Sequence, residues 1–529
     1  MTAIQFPLDT PLLRSAAAIV KVLRDHNFEA YFVGGCVRDL VMGRVPKDVD
    51  IATSATPDVV QEIFPSTVAV GESFGVVIVL REGIHFEVAT FRSDNAYSDG
   101  RRPDSVSYSA SAAEDSRRRD FTINALFYDP LEARLLDFHG GRDDIERKIV
   151  RAIGSPGERF REDKLRMLRA VRFAARFGFM IEAGTRQAIV DAAAEIKQVS
   201  AERQRDELTR ILTEGHSQRG FRLLDDLGVL AYLLPEVRDL KGVEQPPEFH
   251  PEGDVWEHTM LLLHCMDETK KEVSGVGGQA SGKSMEGGEP GSQKLEVRGQ
   301  KPDAKGENSE VGGRKSETAK GRASAFSGNW ELATGNFPLP WNLSPVSYPT
   351  PLLAWAALLH DIGKPATFRR APDRIRFDGH VETGARMARQ IGRRFRMSNE
   401  ETEAIAELVL DHLRFKDVQK MRPSTLKRFV RREQFAEHLE LHRLDCLACH
   451  GNLEAYYFTR AYAQTLTPEE ARPKPFLTGS DLIDLGYAPG PEFKKILTAL
   501  EDAQLENQIK DRESALEYLQ RRFPPGRGT

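Results

Sequence analysis

A glycine pair and an Asp-x-Asp pair stand close together in the stretch Val33-Gly-Gly-Cys-Val-Arg-Asp-Leu-Val-Met-Gly-Arg-Val-Pro-Lys-Asp-Val-Asp50. The apolar residues at its start predict a short strand over 29–33, and Gly34 and Gly35 then predict a turn into a helix over 36–42. Free N–H groups at the start of such a helix, with Arg38 in its first turn, suit a phosphate group. The stretch therefore predicts a strand, a turn and a helix that bind a phosphorylated ligand.

Asp48 and Asp50 follow Gly43, which ends the predicted helix. The run 48–51 predicts a strand, whose alternating side chains place both carboxylates on one face, roughly 6–7 Å apart. Such a pair suits Mg²⁺, which binds a few carboxylates together with substrate phosphates and helps to activate an attacking hydroxyl. Glu87 lies in a later predicted strand between apolar neighbours, where it is either a third carboxylate beside the metal or a side chain that faces solvent.

Residues 92–116 are polar and rich in Ser, Asp and Arg, and we expect a mobile loop there. Three arginines follow it, just before a predicted helix. Guanidinium groups bind phosphate oxygens in pairs, so Arg118 and Arg119 are candidates for holding a triphosphate. Asp120 and Asn124 are four residues apart and share one face of that helix, where they are placed to bind a ribose hydroxyl. A solvated basic turn is the alternative.

The segment 160–173 has apolar residues at helical spacing and predicts a helix with one buried face. Asp163 and Arg166 are three residues apart in it, so their side chains are neighbours. A carboxylate only accepts hydrogen bonds and a guanidinium only donates them. Cytosine and adenine both place an amino donor beside a ring-nitrogen acceptor, so this pair can select them against uracil and guanine. The alternative is an ordinary ion pair within the helix.

These motifs come in the order, and at about the spacing, of the class II tRNA nucleotidyltransferases and bacterial poly(A) polymerases, which the chain resembles over residues 28–240. The resemblance implies that Asp48 and Asp50 are the catalytic metal ligands, with Mg²⁺ as the ion. It further implies that Gly34, Gly35 and Arg38 bind the triphosphate. Arg118, Arg119 and Asp120 would bind ribose and phosphate, and Asp163 and Arg166 would act as an amino-acid template for CTP and ATP.

The same resemblance gives three further segments a role. The loop 92–116 is similar to the flexible loop with which family members add the final A, and its presence argues against an enzyme that adds only CC. Residues 201–212 resemble a helix that helps to form a neck around the nucleotide. Residues 476–509 resemble the carboxy-terminal segment of many CCA-adding enzymes, so we expect this tail to contact tRNA.

A second group of candidate residues follows position 243. It comprises a histidine, a His-Asp pair, two further histidines and an aspartate on predicted helices: His258, His360, Asp361, His380, His412 and Asp445. Histidine nitrogens and bridging carboxylates are common ligands of transition metals. The group is similar to the HD phosphohydrolase fold, which implies His258, His360, Asp361 and Asp445 as primary ligands. His380 and His412 match the variants with two metals, and Lys364 is placed to touch a substrate phosphate. We therefore expect an unidentified divalent transition metal and hydrolysis of phosphoesters.

Residues 268–348 are rich in Gly, Ser, Lys and Glu and poor in aromatic residues. Such a composition does not bury enough apolar surface to fold, so we predict a disordered insert. It separates His258 from His360 in the sequence, and without it the two histidines lie at a distance typical of consecutive helices. We therefore interpret the segment as a loop insertion within one domain.

Composition narrows the setting in which the chain acts. Its 529 residues are enough for several domains. Because the net charge is −5, any RNA binding must use local basic patches on the surface. We expect no membrane segment and no signal peptide, and the four cysteines favour a reducing, cytoplasmic location. We also expect no haem at the Cys446–His450 motif, because haem attachment requires secretion.

The predicted fold class is α+β. It comprises a polymerase-beta-like nucleotidyltransferase head with a mixed sheet (1–145), an all-α neck and body (146–242), an all-α HD domain (243–460) and a helical tail (461–529). The expected function is template-independent addition of CCA to tRNA 3′ ends, with a phosphohydrolase activity in the HD domain. The alternatives are a poly(A) polymerase, an enzyme that adds only the terminal A, and an HD phosphohydrolase with a nucleotide-sensing head.

Overall fold

The computed structural model describes residues 2–3, 5–69, 75–95, 105–108, 111–273 and 348–524. A mixed sheet occupies the amino-terminal region, and the described chain is mainly helical from residue 156 onward. The α+β prediction is therefore confirmed. Most of the predicted insert 268–348, and the middle of the predicted loop 92–116, lie outside the described residues.

The amino-terminal strands are β1 (Thr2–Ala3), β2 (Ala30–Val33), β3 (Asp50–Thr53), β4 (Thr67–Ala69), β5 (Val76–Arg81), β6 (Ile84–Thr90), β7 (Arg92–Asn95), β8 (Ser105–Tyr108), β9 (Leu126–Asp129) and β10 (Arg134–Asp137). Eight of them form one sheet in the order β1-β10-β9-β2-β3-β6-β5-β4, while β7 pairs with β8 in a separate sheet. The pair β3 and β6 is parallel, whereas the other neighbours in the large sheet are antiparallel.

The centre of this sheet holds the candidate site. Strand β2 is buried along its whole length and pairs its last residue, Val33, with Asp50 of β3. Strand β3 begins at Asp50, so the predicted strand over 48–51 is wrong at its start, and Asp48 lies in the preceding loop. The parallel register pairs Ile51 with Val88 of β6, which places Asp50 beside Glu87 on the neighbouring strand.

The helices of this region are α1 (Pro11–Asp25), α2 (Gly35–Val41), α3 (Pro57–Ile63), α4 (Ala112–Arg117) and α5 (Gly141–Glu146). Thr10 caps α1 by accepting a hydrogen bond from the backbone N–H of Leu13 (3.2 Å), and proline occupies the first turn. The predicted mobile loop 92–116 is structured at both ends, since β7, β8 and α4 fall within it.

The next helices are α6 (Pro156–Glu162), α7 (Leu165–Phe177), α8 (Ala183–Ala192), α9 (Ala201–Thr213), α10 (Ser217–Asp226), α11 (Leu230–Leu233) and α12 (Pro235–Arg238). A short parallel pair, β11 (Ile149–Val150) and β12 (Met180–Ile181), lies beside them. The single helix predicted over 160–173 is wrong, because Asp163 has an extended backbone (φ −147°, ψ 104°) that separates α6 from α7. The predicted neck helix over 201–212 corresponds to α9.

The following region contains α13 (Val255–Val273), α14 (Pro351–Leu359), α15 (Lys364–Thr367), α16 (His380–Arg394), α17 (Asn399–Asp411), α18 (Pro423–Val430), α19 (Phe435–Ala448), α20 (Glu454–Thr465) and α21 (Pro468–Ala471). A two-stranded hairpin joins α15 to α16, with strands β13 (Arg369–Arg370) and β14 (Ile375–Arg376). The tail adds α22 (Gly479–Asp484), α23 (Pro491–Leu505) and α24 (Arg512–Arg522).

The predicted bounds of the insert, 268–348, are wrong at both ends. Helix α13 continues to Val273, and Tyr348 is buried, with its hydroxyl donating to Glu440 Oε1 (2.9 Å). These residues are ordered because they pack against the helical body, and such tertiary contacts cannot be predicted from local composition.

One cluster of buried apolar side chains extends from Leu13 of α1 to Ala448 of α19. The tail has a separate cluster that includes Leu482, Leu500 and Leu519. The amino-terminal sheet, the neck helices and the helices that follow them thus share one core, on which both candidate sites are built. Among the described residues, no helix combines the length and apolar character needed to cross a membrane.

Candidate nucleotide cleft and metal centre

A cleft of about 370 Å³ opens between the sheet and helix α7. Residues predicted from separate motifs line it together with two that the sequence analysis missed: Gly34, Gly35, Arg38, Asp50, Arg119, Asp120, Asn124, Asp163 and Arg166, and in addition Arg169 and Phe173. Of the predicted head residues that the structure describes, Asp48, Glu87 and Arg118 lie outside this lining. Both aspartates and arginines line the cleft, as expected of a site that binds a charged ligand with polar groups.

The turn between β2 and α2 is fixed by glycine. Gly34 has φ +75°, a backbone conformation that strains any residue with a Cβ. Arg38 is buried, donates to Asn124 Oδ1 (2.7 Å) and lies 4.5 Å from the centre of the Phe177 ring. Arg38 is therefore held rigidly at the wall of the cleft.

The three predicted carboxylates influence one another. Asp50 is exposed at the edge of the buried strand β3 and lines the cleft. Loss of hydration, and then the charges of Glu87 and Asp48, raise the pKa of Asp50 to about 6. Glu87 is exposed between the buried residues Phe86 and Val88. A cluster of like charges at the open end of a strand is a place where a cation binds favourably.

The arginines after the loop are anchored by a residue that the sequence analysis missed. Asp115 of α4 is buried and accepts hydrogen bonds from Arg118 Nε (2.8 Å) and from a terminal nitrogen of Arg119 (2.9 Å). Burial opposes ionisation of Asp115, but the two guanidinium groups hold its pKa below the usual range. Arg119 thus faces the cleft in a fixed orientation.

Asp120 and Asn124 are neighbours, but not on an α-helix as predicted. The chain forms a short 3₁₀ turn over Thr122–Asn124, in which the Asn124 amide donates to Asp120 Oδ1 (3.1 Å). The other Asp120 oxygen accepts from Arg169 Nε of α7 (2.8 Å). Burial raises the pKa of Asp120, but Arg169 and the Asn124 hydrogen bond together lower it, so the carboxylate stays ionised.

Asp163 and Arg166 both line the cleft but do not pair with each other. Asp163 terminates α6, and its two oxygens accept from Arg203 of α9 at 3.1 and 2.8 Å. Arg166 donates to Glu162 Oε2 (2.7 Å) and to the backbone oxygen of Arg118 (3.1 Å). The break in the helix, rather than helical spacing, brings an acceptor and a donor to the same wall.

The second candidate site gathers all six predicted histidines and aspartates at the meeting point of five helices. His258 belongs to α13, His360 follows α14, His380 begins α16, His412 follows α17, and Asp445 belongs to α19. The Nε2 atom of His258 lies 3.2 Å from His360 Nε2 and 3.0 Å from Asp445 Oδ1. Ring nitrogens that converge in this way, beside a carboxylate, are the donor set of a transition metal.

Asp361 lies between two groups of histidines. Its Oδ2 atom is 3.2 Å from His360 Nε2 and 3.9 Å from His258 Nε2. Its Oδ1 atom is 3.7 Å from the Nε2 atoms of both His380 and His412. Buried Asp361 Oδ1 and His380 Nε2 have no hydrogen-bond partner among the described residues, which fits a cation between them.

Charge at this centre is balanced among buried groups. Burial alone lowers the pKa of His258, but hydrogen bonds to Asp445 and Glu252 raise it to about 9. Burial lowers the pKa of His412 to about 4, so its ring is neutral and free to bind a metal. Desolvation opposes ionisation of Asp361, but Lys364 and the surrounding histidines hold its pKa well below the usual range.

The turn after Asp361 requires glycine. A Cβ on Gly363 would lie 2.1 Å from the backbone oxygen of His380, so only glycine allows α16 to approach this closely. Lys364 follows, donating to Asp361 (2.7 Å) and to Gln245 (2.6 Å). A cavity of about 850 Å³ opens onto the centre and is lined by Asp361, Lys364, His380, His412 and Asp445.

Three family profiles match successive parts of the chain. They are described as the poly A polymerase head domain (residues 30–151), a probable RNA and SrmB-binding site of polymerase A (178–240) and the HD domain (350–446). The first covers the cleft residues from Gly34 to Asn124, whereas Asp163, Arg166, Arg169 and Phe173 lie between the first two profiles. The third covers all the candidate metal-centre residues except His258.

Named relatives match part of the chain. The CCA-adding enzyme of Geobacillus kaustophilus is 46% identical over 223 residues, which is 42% of this chain and 55% of that protein. The chain thus spans about half the length of the curated relatives it matches.

Solved structures share the fold over nearly the whole chain. A Bacillus stearothermophilus CCA-adding enzyme in complex with CTP aligns with a TM-score of 0.61 at 24% identity, covering 97% of this chain and 99% of the other. A Thermotoga maritima CCA-adding enzyme complexed with tRNA aligns at 0.50 and 17% identity, covering 97% and 95% respectively. The chain thus combines regions that match the poly A polymerase head domain, the RNA-binding region of polymerase A and the HD domain, in that order.

Proposed function

We propose that this chain adds C and A to the 3′ ends of tRNA, with CTP and ATP as substrates. The observation that supports this most directly is the cleft in which Asp50 faces the acceptor and donor Asp163 and Arg166. The named relatives support it as well, since the Geobacillus protein is a CCA-adding enzyme and the similar structures are complexes with CTP and with tRNA.

In this proposal the head binds the triphosphate. Gly34 and Gly35 let the backbone approach the phosphate oxygens, and Arg119 contributes positive charge. Asp50, with Asp48 and Glu87 close by, fits Mg²⁺ because carboxylate oxygens converge there. The ion, when bound, supplies positive charge for the phosphates and the attacking hydroxyl. The RNA 3′-hydroxyl then attacks the α-phosphorus in line, the bond to the bridging oxygen breaks, and pyrophosphate leaves.

The neck selects the base. Asp163 accepts from the amino group of cytosine or adenine, and Arg166 donates to the adjacent ring nitrogen. Arg203 occupies one lone pair on each Asp163 oxygen, which fixes the carboxylate while leaving further acceptor capacity for the base.

The test uses purified protein and tRNA transcripts that end before CCA, after C, and after CC, with each nucleotide supplied singly and together. Addition that stops at CCA supports the proposal, and Asp50→Asn should reduce it at least about 100-fold because the carboxylate cluster is incomplete. Addition of A to the CC-ended transcript alone shows an A-adding enzyme, and a long A tail shows a poly(A) polymerase. No incorporation refutes the assignment of the head.

We further propose that the HD region is a metal-dependent phosphohydrolase. His258, His360, Asp361 and Asp445 would hold one divalent transition metal, and Asp361, His380 and His412 a second. Such ions, when bound, supply a hydroxide and positive charge for the phosphoryl oxygens. Lys364, held against Asp361 at the cavity wall, is placed to bind a phosphate oxygen.

The two activities should be separable. Hydrolysis of bis-p-nitrophenyl phosphate, measured with added Mn²⁺, Co²⁺ or Ni²⁺, should be lost in Asp361→Ala and retained in Asp50→Asn. Nucleotide addition should show the opposite pattern, because the two sites use different residues. Equal hydrolysis by wild type and Asp361→Ala refutes the phosphohydrolase assignment.

A further inference from the structure

The loop before α13 carries a carboxylate that belongs to neither set of predicted site residues. Glu252 is buried, with only 6% of its side chain exposed. Its Oε1 atom accepts from two imidazoles, His250 Nδ1 at 2.8 Å and His258 Nδ1 at 2.7 Å. Two histidines that share one carboxylate oxygen form a cluster that neither helix capping nor core packing requires.

The chemistry of this contact fixes where the protons lie. One oxygen of Glu252 lies within hydrogen-bond distance of both Nδ1 atoms. A carboxylate oxygen that serves two imidazoles is the acceptor in both hydrogen bonds, so each Nδ1 carries a proton. In His258 the other ring nitrogen, Nε2, is the atom that points at His360 and Asp445.

His250 is the second ring that Glu252 orients. It lines the cavity over the metal centre, and its ring meets that of His258 edge to face, with centroids 5.0 Å apart. Because Nδ1 is bound to Glu252, Nε2 is the remaining polar atom of that ring. The other carboxylate oxygen of Glu252 is buried without a hydrogen-bond partner among the described residues. The carboxylate is thus committed to the two rings.

We propose that Glu252 is a positioning residue of the metal centre, which directs Nε2 of His258 at the metal and couples His250 of the cavity wall to that ligand. The inference rests on the HD metal site proposed above. A hydrogen bond to the distal nitrogen fixes the tautomer and orientation of a metal-binding histidine, and loss of such a bond typically weakens metal affinity about 10- to 100-fold.

A purely structural role makes a different prediction. If Glu252 only attached the loop to α13, its removal would change stability and leave the intrinsic affinity for metal unchanged. Metal affinity, measured on folded protein, therefore separates the two roles. Glu248 provides a matched control, because it lies in the same loop but is exposed.

The test titrates Co²⁺ into full-length, metal-free protein in competition with a chromophoric chelator. Glu252→Ala should lower the Co²⁺ affinity of the site that contains His258 about 10- to 100-fold. Glu252→Gln keeps an acceptor oxygen without the charge, so its Co²⁺ affinity should lie between those of wild type and Glu252→Ala. Glu248→Gln should match wild type. Thermal melts of the metal-free proteins verify that each variant is folded, and Glu252→Gln serves as the test if the alanine variant is not.

The outcomes distinguish this inference from the proposal beneath it. Wild-type affinity in Glu252→Gln and in folded Glu252→Ala overturns the positioning role and leaves the metal site intact. No uptake of Co²⁺ by wild type overturns the metal site, and the positioning role with it. As a readout that needs no metal, ¹⁵N spectra of labelled histidines should show a protonated Nδ1 in His258, and a shift of that signal in Glu252→Gln. An unchanged spectrum also contradicts the inference.

Discussion

At the scale of single residues, the cleft depends on carboxylates whose hydrogen-bond partners are distant in sequence. Asp163 is held by Arg203, and Asp120 by Arg169, in each case through two short contacts. Each partner fixes an orientation that the side chain alone does not have, because a free carboxylate rotates among several rotamers. The direction in which Asp163 faces the base is therefore a property of two helices.

We expect Asp163→Ala to lower kcat/KM for both CTP and ATP about 10- to 100-fold, because the amino group of each base loses its acceptor. Asp163→Asn presents a donor as well as an acceptor, so use of UTP and GTP should rise relative to CTP and ATP. Single-turnover incorporation with each of the four nucleotides measures this. Asp191→Ala, an exposed site on α8, is the control, and unchanged selectivity in Asp163→Asn contradicts the role in base selection.

At the scale of elements, the helices are joined by side chains that cap a neighbour's end. Asp267 of α13 accepts hydrogen bonds from the backbone N–H groups of Ser217 (2.9 Å) and Gln218 (3.1 Å) at the start of α10. These donors have no partner within their own helix. A buried carboxylate therefore links the helix that carries His258 to the neck.

We expect Asp267→Ala to lower the free energy of unfolding by about 1–3 kcal/mol, because it leaves buried donors unpaired. Asp267→Asn keeps an acceptor and should cost less. Denaturant unfolding followed by circular dichroism measures both, with Asp191→Ala as the exposed control. A loss no greater in Asp267→Ala than in the control contradicts the capping role.

The same residue predicts a dependence on pH. Burial, only partly offset by the Ser217 and Gln218 hydrogen bonds, raises the pKa of Asp267 to about 6, above its value of about 3.9 in the unfolded chain. The folded protein binds this proton more tightly, so the contribution of Asp267 to stability falls as the pH rises from about 4 to about 6. The free energy of unfolding of wild type, relative to that of Asp267→Asn, should therefore be highest near pH 4 and fall as the pH rises to about 6, because asparagine does not titrate. A constant difference contradicts the raised pKa.

At the scale of the whole molecule, the two candidate sites share one core. Helices α9 and α10 of the neck pack against α14 and α13, and Trp355 of α14 donates its indole N–H to Thr209 of α9 (2.9 Å). Buried apolar side chains on both sides of this boundary belong to the same cluster. The neck helices therefore contact the cleft on one side and pack against the HD region on the other.

We expect a fragment of residues 1–240 to be less stable than the same residues in the full chain, because removal of α13 and α14 exposes the apolar faces of α9 and α10. The fragment should bind a hydrophobic dye and exchange the amides of α9 faster than the full chain does. Hydrogen exchange followed by mass spectrometry measures this. Equal protection of α9 in both proteins contradicts the shared core.

The sequence by itself determined the motifs and the residue types of both candidate sites. The glycine pair and the Asp-x-Asp stretch follow from backbone sterics within a few residues, and the histidines and aspartates were identified by their ligand chemistry. They sufficed to predict the fold class, most of the residues that line the cleft and the six that converge at the candidate metal centre, but not Arg169 and Phe173.

Only the tertiary structure decided how those residues are oriented. The break at Asp163, the start of β3 at Asp50 and the true ends of the predicted insert depend on packing between distant segments. No local sequence pattern marks the partner residues Asp115, Arg169, Arg203 and Glu252. Most charged residues lie on the surface, and the sequence around a buried one does not distinguish it from them. Their roles follow from burial, where an unpaired charge is costly and each one must find a partner across the fold.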